Sequence, residues 1–129
     1  MNPREEKAYA VEELLSLVRV WHTKRNVHVF DGDPIKLGSD RYKTFKVKGV
    51  TCVRCGVVGR FFAKRASSDG SYHMNLFAVR PDGSEVLMTK DHIVPRSRGG
   101  KDHLSNYQPM CATCNTKKGN RPENARAPA

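Results

Sequence analysis

The sequence predicts an α+β domain, with short antiparallel strands following an N-terminal amphipathic helix. Three observations carry this. Apolar residues near the start recur at helical intervals, later ones alternate with polar residues as on half-buried strands, and clusters of Gly, Asp and Pro separate the runs. The chain has 129 residues, enough for one modest core. With 38% hydrophobic residues against 28% charged, that core is lean and calls for an extra staple.

Residues 4 to about 25 read as the helix. Val11, Leu14, Leu15, Val18 and Trp21 follow the i, i+3, i+4, i+7 rule. Glu5, Glu6, Glu12 and Glu13 lie toward its start and Arg19, Lys24 and Arg25 toward its end, a polarity that suits the helix dipole. Asp31-Gly32-Asp33-Pro34 and Gly38-Ser39-Asp40 are turn signals. Phe45 and Val47 then alternate with Thr44, Lys46 and Lys48, which predicts a half-buried strand leading through Gly49 into Cys52-Val53-Arg54-Cys55-Gly56. Two or three short strands follow between Gly59 and Asp91. Phe61 and Phe62 mark one, Met74 to Val79 another, and Glu85 to Thr89 a third, with Pro81-Asp82-Gly83 as a tight turn and Ser67 to Ser71 as a loop. Pro122 to Ala129 lacks periodicity and is expected to fray. This divides the chain into an N-terminal helix-and-strand extension (1–48), a main domain (49–121) and a tail (122–129).

The net charge is +10, from 23 Lys+Arg against 13 Asp+Glu, and such a field attracts polyanions. No apolar run is long enough to span a bilayer, and Met1 to Lys7 does not open a secretory signal. No membrane partner is expected, and the expected location is the cytoplasm, where thiols stay reduced. Four cysteines in two Cys-x-x-Cys pairs then point to metal rather than to disulfides. Cys52/Cys55 and Cys111/Cys114 each have the spacing of a zinc knuckle, and two such turns complete a closed structural Zn²⁺ site. The long spacer means that spacing alone does not prove a shared ion. A redox pair and free buried thiols are the alternatives.

Residues 90–120 concentrate the polar chemistry. Asp91 and His92 sit together at the end of an apolar strand, a candidate metal ligand beside a candidate proton acceptor. Consecutive strand residues point to opposite faces, so both serve one site only where the strand ends. Pro95 and Gly99-Gly100 supply the break, and Asn115 follows the second knuckle directly at the start of a short helix carrying Lys117 and Lys118. Seven Lys/Arg against Asp91 and Asp102 between residues 90 and 121 suggest a phosphate-binding rim of Arg96, Arg98, Lys101, Lys117, Lys118 and Arg121 beside Lys90. No base-reading residue is identifiable. His22, His28, His73 and His103 lack this context and read as surface or packing residues.

The order Asp91-His92, Arg98-Gly99-Gly100, Asn106-Tyr107-Gln108 and Cys111-Ala112-Thr113-Cys114-Asn115-Thr116-Lys117-Lys118 resembles the HNH, or ββα-metal, endonuclease family. The likeness covers about residues 50–120, and residues 1–48 match nothing nameable. It implies a ββα-metal core stapled by a Cys₄ zinc site, cutting phosphodiester bonds in DNA. It implies further that His92 is the general base, that Asp91 and Asn115 hold a divalent ion on the scissile phosphate, and that Asn106 braces the loop orienting His92. The family usually leaves a 5′-phosphate and a 3′-hydroxyl. The third signature position is Asn115 rather than His, a His-Asn-Asn variant. One carboxylate with a neutral amide oxygen favours Mg²⁺ or Mn²⁺. A non-catalytic zinc-stapled nucleic-acid-binding module shares the charge and the cysteines but has no need of Asp91, His92 and Asn115 together. A protein-interaction zinc module leaves the basic rim unexplained. Small HNH proteins resemble phage-encoded, restriction and homing enzymes, and the sequence does not choose among them. One site per chain implies that a double-strand cut needs a homodimer or two visits.

Overall fold

The structure, a computed structural model, describes residues 7–21 and 25–121. Its elements in order are β1 (Ala8–Tyr9), α1 (Val11–Ser16), β2 (Val27–Phe30), β3 (Asp33–Lys36), α2 (Asp40–Lys48), β4 (Gly59–Ala66), β5 (Tyr72–Val79), β6 (Glu85–His92), β7 (Tyr107–Cys111) and α3 (Ala112–Lys118). The mixed α+β class is as the sequence predicts. The strands run β1–β4–β5–β3–β2 through one sheet, with β6 on β5 and β7 on β6.

The N-terminal helix is shorter than its periodicity suggests. Ala8 and Tyr9 instead pair with Ala63 and Phe62 at the edge of β4, which takes residues the first turn would need. After Ser16 the run Leu-Val-Arg-Val includes two β-branched residues, poor helix formers. The carbonyls at its C-terminal end find partners elsewhere. Lys46 Nζ donates to Leu15 O at 3.0 Å and Val18 O at 2.9 Å, and Asn26 Nδ2 donates to Leu17 O at 3.1 Å. Leu14 and Val18 still reach the core, whereas Trp21 is 90% exposed. The remainder of the expected helix, residues 4–6 and 22–24, and the tail at 122–129 lie outside the described residues.

The strand expected over 44–48 is instead the second half of helix α2. Five residues with two apolar positions do not separate a period of two from one of 3.6. The wider window does, because Tyr42 and Phe45, three apart, are both buried while Val47 is 50% exposed. Asp40 in the first turn, Lys46 and Lys48 in the last, and Gly49 at φ 96° complete a helix signature. Tyr42 anchors α2 on β5: its hydroxyl accepts from Met74 N–H at 2.9 Å and donates to Met74 O at 3.2 Å. Phe45 meets Phe62 edge-on.

The β2–β3 hairpin turns at Asp31-Gly32, as the turn signals suggest. β4, β5 and β6 form an antiparallel meander. One buried cluster runs from Leu14 and Val18 through Ile35, Phe45, Leu76 and Met88 to Met110 and Cys114, so residues on both sides of position 48 share it. Among the described residues, no helix is long and apolar enough to cross a membrane.

β6 changes partners halfway, and this positions the site. Its first half pairs with β5, Leu87 opposite Phe77 and Glu85 opposite Val79. Its second half pairs with β7, Met88 opposite Cys111, Asp91 opposite Gln108 and His92 opposite Tyr107. β7 runs directly into α3. The last residues of β6 are therefore clamped between a strand and a helix that both grow from the second cysteine pair.

Candidate active site

The four cysteines converge. The first pair sits in a small loop closed by the Thr51–Val58 bridge, with Cys52 N–H donating to Val57 O at 2.8 Å and Gly56 N–H to Cys52 O at 3.0 Å. Gly56 has φ 84°, a left-handed conformation that a side chain would strain. Cys111 ends β7 and Cys114 lies in the first turn of α3. Each leading sulfur accepts a backbone N–H, Cys52 Sγ from Cys55 at 3.5 Å and Cys111 Sγ from Cys114 at 3.4 Å. Val53 N–H, donating to Pro109 O at 3.1 Å, ties one knuckle to the other.

All four sulfurs lie within 4.8 Å of one another, none is in a disulfide, and Cys55 Sγ is 3.8 Å from Cys111 Sγ. Tetrahedral Zn–S bonds of about 2.3 Å place sulfurs about 3.8 Å apart, so the donor set fits one ion. The thiols are unequal. Burial opposes ionisation of Cys52, but N–H donors from Cys55, Cys111 and Arg54 outweigh it and lower its pKa to about 7. Burial first, and then sulfur contacts with Cys111 and Cys55, push Cys114 up, and burial also raises Cys111. A shared cation removes this conflict by favouring thiolate at every position.

An open cleft of about 380 Å³ lies at the end of β6. Lys90, Asp91, His92, Pro95, Arg96, Ser97, Asn115, Lys118, Gly119 and Asn120 line it. It gathers Asp91, His92, Asn115, Arg96 and Lys118 from the sequence reading. Asp91 is 5% exposed, and Gln108 Nε2 donates to its Oδ2 at 2.9 Å. Lys118 Nζ lies 3.3 Å from Oδ1 and 3.1 Å from Oδ2 of the same carboxylate, and donates to His92 O at 2.7 Å. Asn115 Nδ2 donates to Thr89 Oγ1 at 2.9 Å, and that hydroxyl donates to Met110 O at 2.7 Å. The Asn115 amide is thereby fixed through its nitrogen, and among the described residues its side-chain oxygen has no hydrogen-bond partner.

His92 ends the strand with its ring edge-on to Tyr107, centroids 5.0 Å apart at 88°. Its Nε2 lies 2.7 Å from Asp102 Oδ1, and Arg96 Nε donates to the same oxygen at 2.7 Å. Hydrogen bonds first from Arg96 and then from His92 hold the Asp102 carboxyl at a pKa of about 2, and the carboxylate in turn raises that of Arg96. Burial raises the Tyr107 phenol.

Asn106 lies outside the cleft walls and spans the loop behind them. Its Oδ1 accepts from Val94 N–H at 2.9 Å, and its Nδ2 donates to Val94 O at 3.0 Å and Lys101 O at 2.9 Å. Gly100 completes this loop at very close quarters: a Cβ there would lie 1.6 Å from Val94 O. His103 is exposed, and its Nδ1 accepts from Ser105 N–H at 3.1 Å as the cap of a 3₁₀ turn.

The rim needs one correction. Lys118 is 1% exposed and spent on Asp91 and His92, so it does not face a solvent-borne phosphate. Its position in α3 aims it inward at β6, which the bare spacing of Lys117-Lys118 does not reveal. Arg98, Lys101 and Lys117 are exposed, and half-buried Arg121 donates to Lys117 O and Lys118 O at the end of α3. Asp102 and Gln108 carry no role in the sequence reading. The register was the available signal for Gln108, because a strand reading of Tyr107-Gln108 places it across from Asp91.

Residues 80–121 match the model of the HNH endonuclease family. The chain carries an HNH domain. This domain spans β6, the loop braced by Asn106, β7 and α3, and holds the second cysteine pair, while the first pair comes from outside the matched segment. Curated proteins and solved structures offer no match to the chain.

Proposed function

We propose that this chain is a metal-dependent endonuclease that hydrolyses phosphodiester bonds in DNA. The observation that carries the reading is one cleft, inside the HNH segment, lined by Asp91, His92 and Asn115 together. The unit responsible is residues 49–121, its ββα-metal core being β6, β7 and α3.

Asp91 and Asn115 offer one carboxylate and one amide oxygen to the same cleft, a hard all-oxygen donor set suited to Mg²⁺ or Mn²⁺ that keeps several waters. Bound there, the ion would polarise the scissile phosphate and relieve charge on the leaving 3′ oxygen. Asp91 retains lone pairs beyond those used by Gln108 and Lys118, since an ionised carboxylate has about four acceptor sites. His92 takes the proton of the attacking water, a role open to a neutral imidazole near pH 7. Asn106 holds the Val94–Lys101 loop, whose Pro95, Arg96 and Ser97 line the cleft. Arg98, Lys101 and Lys117, with Arg96 and Arg121, draw in the phosphate backbone. The four cysteines hold Zn²⁺ and take no part in the chemistry, because four thiolates leave no open coordination position.

Supercoiled plasmid incubated with Mg²⁺ and with EDTA, for the zinc-loaded chain and for His92→Ala, tests the reading. Nicked or linear product is expected only from the unmodified protein with Mg²⁺. Binding without any cutting would instead support a non-catalytic nucleic-acid-binding module.

A further inference from the structure

We infer that Asp102 is a positioning residue for His92, its carboxylate fixing the imidazole with the proton on Nε2 and leaving Nδ1 as the basic nitrogen. The inference rests on the nuclease reading and deepens it.

Asp102 Oδ1 lies 2.7 Å from His92 Nε2. An ionised carboxylate only accepts, so the ring nitrogen facing it carries a proton. In a neutral imidazole the other nitrogen then bears the free lone pair. That nitrogen, Nδ1, has no hydrogen-bond partner among the described residues, and His92 lines the cleft that also holds Asp91 and Asn115. Asp102 is itself secured. Arg96 Nε donates to the same oxygen at 2.7 Å and keeps the carboxyl ionised well into acid.

The ring is held on a second side by Tyr107, edge-on at 5.0 Å and opposite His92 in the β6–β7 ladder. The loop carrying Asp102 is fixed immediately before it, where Asn106 Nδ2 donates to Lys101 O at 2.9 Å. One hydrogen bond and one ring contact leave the imidazole a single orientation and a single tautomer. A merely structural ion pair is the competing account. Arg96 is 70% exposed and Asp102 51%, and exposed pairs of that kind add little to stability. Removing the Asp102 carboxylate should therefore leave the fold intact.

The test uses the full zinc-loaded chain and Asp102→Ala. Long-range nitrogen–proton correlation spectra, with the His92 signals assigned by their loss in His92→Gln, read the tautomer without any cleavage. The unmodified protein is expected to show His92 protonated on Nε2, and Asp102→Ala to lose that bias. On plasmid at saturating Mg²⁺, Asp102→Ala should lower kcat by about 10- to 100-fold, the scale of a misplaced catalytic group. KM and the Mg²⁺ half-saturation should stay within about twofold. An unchanged tautomer, or an unchanged kcat, in Asp102→Ala overturns the inference. If His92→Gln is inactive while Asp102→Ala is fully active, only this inference fails. If His92→Gln itself cuts at the normal rate, the assignment of the base fails with it.

Discussion

At the scale of single residues, Lys118 decides what mutations of the cleft will do. Its ammonium and the Asp91 carboxylate are 1% and 6% exposed at the side chain, an ion pair buried between β6 and α3 at the wall of the cleft. Removing one member of a buried pair strands the other charge, which typically costs about 3–5 kcal/mol. Asp91→Ala and Lys118→Ala are therefore expected to lose stability on that order in urea unfolding, whereas Asp91→Asn keeps an acceptor oxygen and loses less. Asp91→Ala cannot be read as a pure loss of metal, and extra Mg²⁺ should not restore it fully. Asn115→Ala is cleaner, since among the described residues its side-chain amide bridges to the Thr89 hydroxyl alone. His92→Ala should be cleaner still: about a hundred- to ten-thousand-fold loss of cleavage, the usual worth of a general base, with DNA binding and melting temperature nearly unchanged and no rescue by metal. The sequence made Asp91, His92 and Asn115 legible because their residue types and order are distinctive. It did not reveal that Lys118 neutralises Asp91 or that Asp102 meets His92. Both contacts depend on how a helix face and a loop tip close over a strand end, and a string of basic residues looks the same whether it points out or in.

At the scale of elements, alternation served where a strand lies on a sheet with one buried face. β5 shows it best, with Met74, Leu76 and Ala78 buried in turn. It misled over 44–48, where Lys46 and Lys48 are spaced like a strand's solvent face although α2 lays Tyr42 and Phe45 against β5 and β4. It also did not show α1 ending after Ser16, because Leu14 and Val18 are buried whether or not the helix continues. The loop between β6 and β7 is set by backbone contact rather than by apolar burial. Gly100 N–H donates to Pro95 O at 2.9 Å, and a methyl group at Gly100 would meet Val94 O at 1.6 Å. Gly100→Ala must therefore displace the loop that carries Asp102. Cleavage is expected to fall by about tenfold or more while the Cys₄ site keeps its metal, measured by cleavage kinetics beside elemental analysis. Metal removal acts on different elements. The four cysteines join the first knuckle to β7 and α3, so a strong chelator should release Zn²⁺ and collapse the circular-dichroism signal together. Protein that is fully folded yet free of zinc would contradict that coupling.

At the scale of the molecule, charge is the property that the sequence states most directly and the fold then edits. The net charge of +10 supplies a long-range pull on polyanions, but only groups that reach solvent near the cleft release counterions on binding. Lys118 is removed from that set by burial, and Arg96 is shared with Asp102. Lys101 and Lys117 remain exposed for this role, Arg98 is exposed but donates its Nε to Asn120 O at 2.8 Å, Arg121 is half-buried at the end of α3, and Lys90 lies 4.2 Å from the Tyr107 ring centroid. If about five phosphates are contacted, the logarithm of the duplex association constant should fall with the logarithm of salt at a slope of roughly −4 to −5. Each exposed rim residue that truly touches phosphate should reduce that slope by about one unit when changed to Gln. Lys101→Gln and Lys117→Gln should do so, Lys118→Met should not, and Asp102→Ala should steepen the slope slightly by releasing Arg96. Fluorescence anisotropy of a labelled duplex, titrated at several salt concentrations with the inactive His92→Ala background, gives these slopes directly. A flat salt dependence, or Lys118→Met reducing the slope as much as Lys117→Gln, would move the DNA path away from the rim of this cleft.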